Sequence, residues 1–164
     1  MHLSVQAHYD ADVDRVAAML ADPEFVEAKV RASGALSQQV DVVGGAGADF
    51  TVTSRRHMPT TGIPAQFRSV VGASLEVRQV EAWEGPEPGA RRGTVVVEIT
   101  GAPVRMTGIM RLVPEADGTT TQHFEGELKA SVPLFASAVE DATATAVRTA
   151  LAAEERTAAA WLRR

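Results

Sequence analysis

Residues 134–164 read LFASAVEDATATAVRTALAAEERTAAAWLRR, a run without glycine or proline and dominated by Ala, Leu, Glu and Arg. These residues lose little side-chain freedom in a helix, so the run predicts one continuous helix of about seven or eight turns. Phe135, Val139, Ala142, Ala146, Ala150, Ala153, Thr157 and Trp161 can share one stripe, which leaves Glu140, Asp141, Arg148, Glu154, Glu155 and Arg156 for solvent. Alanines along such a stripe let a sheet approach closely or leave room for a guest.

Upstream of this helix, from Leu36 to Lys129, the periodicity changes to that of strands. Runs rich in β-branched residues fall near 36–43, 48–57, 74–84, 92–100, 104–114 and 119–129. Gly44-Gly45-Ala46-Gly47, Thr100-Gly101-Ala102-Pro103 and Glu115-Ala116-Asp117-Gly118 mark turns between them. Consecutive strands joined by short turns form an antiparallel meander. The longer link from His57 to Gly72 contains Pro59, Gly62 and Pro64, then a segment, 65–71, able to close into one or two helical turns. Its length suits a lid or a covering loop.

At the amino terminus Leu3, Val5, Ala7 and Tyr9 alternate with polar residues, the period of a half-buried strand. Asp10 or Asp12 then offers a helix cap ahead of Val13, Val16, Ala17 and Leu20. Asp22-Pro23 caps and starts a second short helix through Phe25, Val26 and Val30, which stops at Gly34.

Composition narrows the function. Apolar residues at 45% and charged residues at 23% fit a folded chain, and 164 residues fit one domain, expected to span 1–164. A formal net charge of −5 supplies no general attraction to nucleic acid or anionic lipid. Cysteine is absent, which excludes disulfides and thiolate chemistry and fits a reducing, cytoplasmic setting. The first ten residues lack the pattern of a signal peptide, and no apolar run approaches a membrane span.

The order β-α-α, six further strands and a long final helix resembles the helix-grip fold of the START and Bet v 1-like (SRPBCC) superfamily. Within it the chain is similar to the uncharacterised group DUF2505, through Arg56 to Pro59, Ile63-Pro64, Arg68 with Val71-Gly72, and Glu81-Ala82-Trp83. The resemblance implies an α+β architecture: a curved antiparallel sheet of about seven strands around the carboxy-terminal helix, with two short helices after the first strand. It also implies a cavity between sheet and helix of the kind relatives use for lipids, sterols or polyketides. Carriers and cyclases or dehydratases share that fold, so the resemblance assigns no catalytic set.

Strand parity identifies the residues that face such a cavity. Leu75 and Val77 pointing inward place Gln79, Glu81 and Trp83 on the same side. Phe50, Val52, Ser54 and Arg56 likewise share a face, with Arg56 toward the open end. Val95, Val97 and Ile99 face Val104, Met106, Met110 and Leu112 inside, while Glu98 and Arg105 pair outside. Phe124 and Leu128 extend the inner surface, to which the final helix adds Phe135 and Val139. An inward carboxylate at Glu81 calls for a partner, a raised pKa or an edge position. Arg56 and Arg68 are the natural partners by this reading.

The expected ligand-facing set is therefore Arg56, Arg68, Leu75, Val77, Gln79, Glu81, Trp83, Val97, Met106, Met110, Phe124, Phe135 and Val139. Binding of a hydrophobic or amphipathic small molecule is the leading expectation. A polyketide cyclase-like enzyme with Glu81 as acid or base is the alternative, and a dimerisation or protein-interaction module the third reading. His2, His8, His57 and His123 form no metal-ligand motif. No Gly-x-Ser-x-Gly elbow or nucleotide-binding glycine pattern is present, so neither metal nor cofactor is expected.

Overall fold

In the computed structural model, residues 1–164 are described, apart from the side chains of Ser69 and Val70. Strand β1 (His2–Tyr9) leads into helices α1 (Val13–Leu20) and α2 (Pro23–Ala32). Asp12 caps α1 by accepting from the Arg15 N–H at 2.8 Å, and Asp22 caps α2 from the Glu24 N–H at 2.9 Å. Then follow β2 (Ser37–Gly44), β3 (Phe50–Pro59), the short α3 (Ala65–Val71), β4 (Ser74–Trp83), β5 (Arg91–Thr100), β6 (Val104–Pro114) and β7 (Thr120–Ala130). Helix α4 (Ala136–Trp161) closes the chain with 26 residues, about seven turns.

The seven strands form one antiparallel sheet in the order β1-β7-β6-β5-β4-β3-β2. After α1 and α2, β2 starts at the far edge and the meander returns strand by strand until β7 lies beside β1. The sheet must bend to embrace a helix, and one row of small residues serves that bend. Gly108 and Gly126 sit opposite each other on β6 and β7, beneath the Phe124 ring. A Cβ on Gly108 would fall 2.5 Å from Phe124 Cε2, so the ring occupies the space that side chains would take.

Helix α4 packs against α2, β1 and β7, while α2 also lies on β2 and α1 on β6. The helix therefore rests toward the β1–β7 side of the concave face. Its buried face differs from the predicted stripe: Ala144, Ala153 and Ala158 are the buried residues, joined by half-buried Val139, Val147, Leu151 and Trp161. Ala146 is exposed, and Glu154, expected in solvent, faces inward with its side chain 13% exposed. Charge argued for solvent at position 154, but α2 supplies a cation that offsets the cost of an inward carboxylate.

Candidate functional site

The register sorts the concave face into rows. Phe50, Trp83, Gly93, Met110, Phe124 and Val5 lie across one row, and Val52, Glu81, Val95, Gly108, Gly126 and Leu3 across the next. In these rows Phe50, Val52, Glu81, Trp83, Val95, Met110 and Phe124 are buried. The indole of Trp83 stacks on Phe50 with centroids 6.2 Å apart, and Gly93 opposite leaves the room it needs. Phe25 on α2 meets Trp161 on α4 edge to face at 5.6 Å. This end of the grip is sealed.

Burial fades along the same strands toward the start of β4. In the following row Ser54 and Met106 are buried, but Gln79 and Val97 between them are half-buried. Arg56, Val77 and Ile99 form the next row and Met58 and Leu75 the last, all half-buried. Parity aims these side chains at the concave space, yet α4 lies toward the other side of the sheet. The β3–β5 half of the concave face is therefore less covered than the β1–β7 half. Nearby, Phe67 of α3 meets Phe135, ahead of α4, edge to face at 5.2 Å.

Beside the sealed end runs a connected set of buried and half-buried polar side chains. Arg56 Nη2 donates to Gln79 Oε1 at 2.9 Å, and Gln79 Nε2 donates to Glu81 Oε1 at 2.6 Å. Glu81 also accepts from Lys29 Nζ at 3.4 Å and, through Oε2, from Trp83 Nε1 at 3.2 Å. Lys29 Nζ reaches on to Glu154 Oε2 at 3.2 Å. The Tyr9 hydroxyl lies 2.8 Å from Glu154 Oε1 and 2.9 Å from the side-chain amide of Gln122. The hydroxyl has one proton for two acceptors, Glu154 Oε1 and Gln122 Oε1, while Gln122 Nε2 donates to Met110 Sδ at 3.7 Å.

These contacts fix protonation. Burial alone would push the Glu81 carboxyl up, but Lys29, Trp83 and Gln79 together outweigh it and hold Glu81 below its ordinary value. Burial would likewise lower Lys29, yet Glu154 and Glu81 hold its ammonium above the ordinary value. Tyr9 is pushed well above 10 by burial and by neighbouring Glu154. Burial lowers Arg56 against the pull of Glu81 and Glu154, but guanidinium stays charged near neutrality. Two cations, Lys29 and Arg56, thus face two anions, Glu81 and Glu154.

The partner of Glu81 corrects the expectation of an arginine. Lys29 makes the ion pair, whereas Arg56 connects only through Gln79. Arg68 lies exposed and holds its own loop, donating through Nε to Ile63 O and through Nη2 to Thr61 O, each at 2.8 Å. Of the other expected residues, Leu75, Val77, Gln79, Val97 and Val139 are half-buried. Trp83, Met106, Met110 and Phe124 belong to the packed interior, and Phe135 is 45% exposed.

Lys29, Glu154, Tyr9 and Gln122 were missed by sequence reasoning. A signal for Lys29 was present: with Phe25, Val26 and Val30 it occupies the i, i+1, i+4, i+5 positions of one helix face. Tyr9 already carried the inward parity of β1.

Two recesses lie on the outer face of the sheet, of about 620 Å³ beside Arg78, Glu98 and Lys129 and about 210 Å³ around Ile109 and His123. Both are open, and their rims carry charges of both signs. Among the described residues, no group of three or more His, Asp or Glu side chains is placed to hold a metal. No described helix is long and apolar enough to cross a membrane.

An antiparallel sheet of this order wrapped on a long final helix is the START-like helix-grip fold, and solved structures share it. The Thermus thermophilus protein TTHA0849 matches over 96% of this chain and 97% of its own, at 18% identity and a TM-score of 0.63. A START superfamily protein from Mycobacterium smegmatis matches over 94% of each chain, at 10% identity and a TM-score of 0.55. A dicamba monooxygenase bound to 3,6-dichlorosalicylic acid is matched over 49% of its chain and 99% of this one, at 14% identity and a TM-score of 0.58. No curated protein sequence matches significantly. The chain belongs to the family described as Protein of unknown function (DUF2505), whose profile matches residues 4–162.

Proposed function

We propose that this protein binds a hydrophobic or amphipathic small molecule, of the size of a lipid, sterol or polyketide, in the cleft between the β3–β5 half of the sheet and α4. One observation carries the reading. Side chains that parity aims inward, Leu75, Val77, Val97 and Ile99, stay half-buried, while Glu81 and Trp83 further along β4 and Val95 on β5, on the same face, are buried. Apolar groups left partly wet inside a fold gain free energy when a guest covers them, about 25 cal/mol per Å² removed from water. Gln79 and Arg56 give that guest a polar end wall, and α3 with Phe67 forms a cover at the mouth. The dicamba monooxygenase that shares the fold was solved with an aromatic acid bound, a precedent for small-molecule binding on this scaffold.

Binding is favoured over cyclase-like catalysis because Glu81 is committed elsewhere. It accepts from three side chains and is held ionised, so at neutral pH it has no proton to give and is a weak base. Dimerisation is the weaker reading: of the exposed large apolar residues Leu134 and Phe135 are neighbours, while Leu36, Val43 and Ile109 lie on other segments. The lack of cysteine suits a cytoplasmic role.

The test is organic extraction and mass spectrometry of the native protein, beside a Val77→Trp variant that fills the cleft. A compound recovered from the native protein and lost from the folded variant is expected. Recovery of nothing, with no displacement of an apolar fluorophore by either protein, would overturn the reading.

A further inference from the structure

Resting on that reading, we propose that the inner end of the ligand is an uncharged hydrogen-bond acceptor, a carbonyl or hydroxyl oxygen held by Arg56, and not a carboxylate. Arg56 has the donors. Its guanidinium carries five N–H groups, and one hydrogen bond to another side chain, Gln79, engages them. Among the described residues, the sealed side-chain nitrogen or oxygen lacking a partner is Arg91 Nε, so Arg56 Nε and Nη1 are not sealed without one. Arg56 shares its row, and by strand parity its face, with Val77 and Ile99.

The charge balance decides what they receive. Lys29 and Arg56 are already matched by Glu81 and Glu154 in one connected cluster. A carboxylate arriving at Arg56 would be a third anion facing two cations, taken out of water one glutamine away from Glu81. Desolvating an uncompensated ion costs several kcal/mol even after relaxation. A neutral oxygen avoids that cost and still accepts from a charged donor, a stronger hydrogen bond than one between neutral groups. An arginine facing an apolar cleft would ordinarily suggest a fatty-acid carboxylate; here the anions behind it are arranged against one.

A matched set of ligands tests this by isothermal titration calorimetry at neutral pH: decanoate, decanol and methyl decanoate. Decanol and the ester are expected to bind about tenfold tighter than decanoate or better, a difference of about 1.4 kcal/mol. Arg56→Met should weaken all three, decanoate most, because it removes the donor and leaves the cluster one negative charge in excess. Glu81→Gln and, independently, Glu154→Gln each leave the cluster one positive charge in excess and should move selectivity toward decanoate; unfolding curves identify a variant that has lost its fold, and the other then serves. Equal or tighter binding of decanoate by the native protein overturns the inference and leaves the cleft standing. If none of the three binds, the cleft reading fails and this inference falls with it.

Discussion

The two ends of the grip are built from the same strands, with the same alternation and nearly the same residue types, yet one is packed and the other open. On β4, Trp83 and Glu81 are sealed while Val77 and Leu75, facing the same way, are not; on β5, Val95 is sealed and Val97 is not. The difference lies in what covers them. Two short helices and the end of α4 close over the first set, and α4 veers toward β1 and β7 before it covers the second. Parity decides which way a side chain points, but a helix several elements away decides whether it is buried. The packed end should therefore carry stability and the open end ligand affinity, and substitutions can separate the two.

The largest effect is expected at Trp83. Trp83→Ala removes a buried indole, its stacking on Phe50 and one donor to Glu81, and should cost about 5 kcal/mol in a denaturant titration. Lys29→Met is next. It leaves Glu81 and Glu154 facing each other without their shared cation and should cost about 3 kcal/mol. Adding Glu81→Gln and Glu154→Gln to Lys29→Met should recover part of that loss, because the cost lies in stranded charge. A Lys29→Met protein as stable as the native one would mean that the cluster contributes nothing to closing the packed end.

Acid and alkali should weaken that end through different groups. Glu81 is held below its ordinary value in the fold, so its contribution is present above the unfolded carboxylate range and is lost as pH falls through the folded value. Lys29 and Tyr9 are raised, so theirs are complete below their unfolded values and are lost as pH rises through the folded ones. Thermal melts should therefore give a plateau across neutral pH with a fall on each side. Tyr9→Phe should reduce the alkaline fall and Glu81→Gln the acid one; a Glu81→Gln acid limb as steep as the native limb would remove Glu81 from the account.

Most of the scaffold was legible because its signals are local. Asp12 and Asp22 cap their helices within three residues, and a period of two needs no knowledge of the partner strand. The inward set on β3 to β7 follows from that period alone. The polar cluster was not legible for the opposite reason. Lys29 meets Glu81 across 52 positions and Glu154 across 125, and no local pattern announces such a pairing. Strand parity turned Arg56 inward toward the open end, and with Arg68 it was the natural choice for Glu81. The course of α4 escaped as well: its surface is so rich in alanine that several stripes are nearly equal in hydrophobicity, and Glu154 reads as a solvent position until the cation that receives it is known.

The smallest effects give the sharpest comparison, because they can be read two residues apart on one strand. Val95 and Val97 share β5, its inner face and the same side chain; Val95 is 4% exposed and Val97 half-buried. Val95→Ala removes two methyl groups from a packed row and should cost about 2 kcal/mol, transfer and cavity together. Val97→Ala removes the same atoms from a half-buried side chain at the margin of the core and should cost under about 1 kcal/mol. With a ligand present the order should change: Val97→Ala weakens binding several-fold, while Val95→Ala leaves the affinity of the folded fraction unaltered. Equal stability losses at the two positions would mean that the cleft is packed in solution, and the division between a structural end and a binding end would not hold.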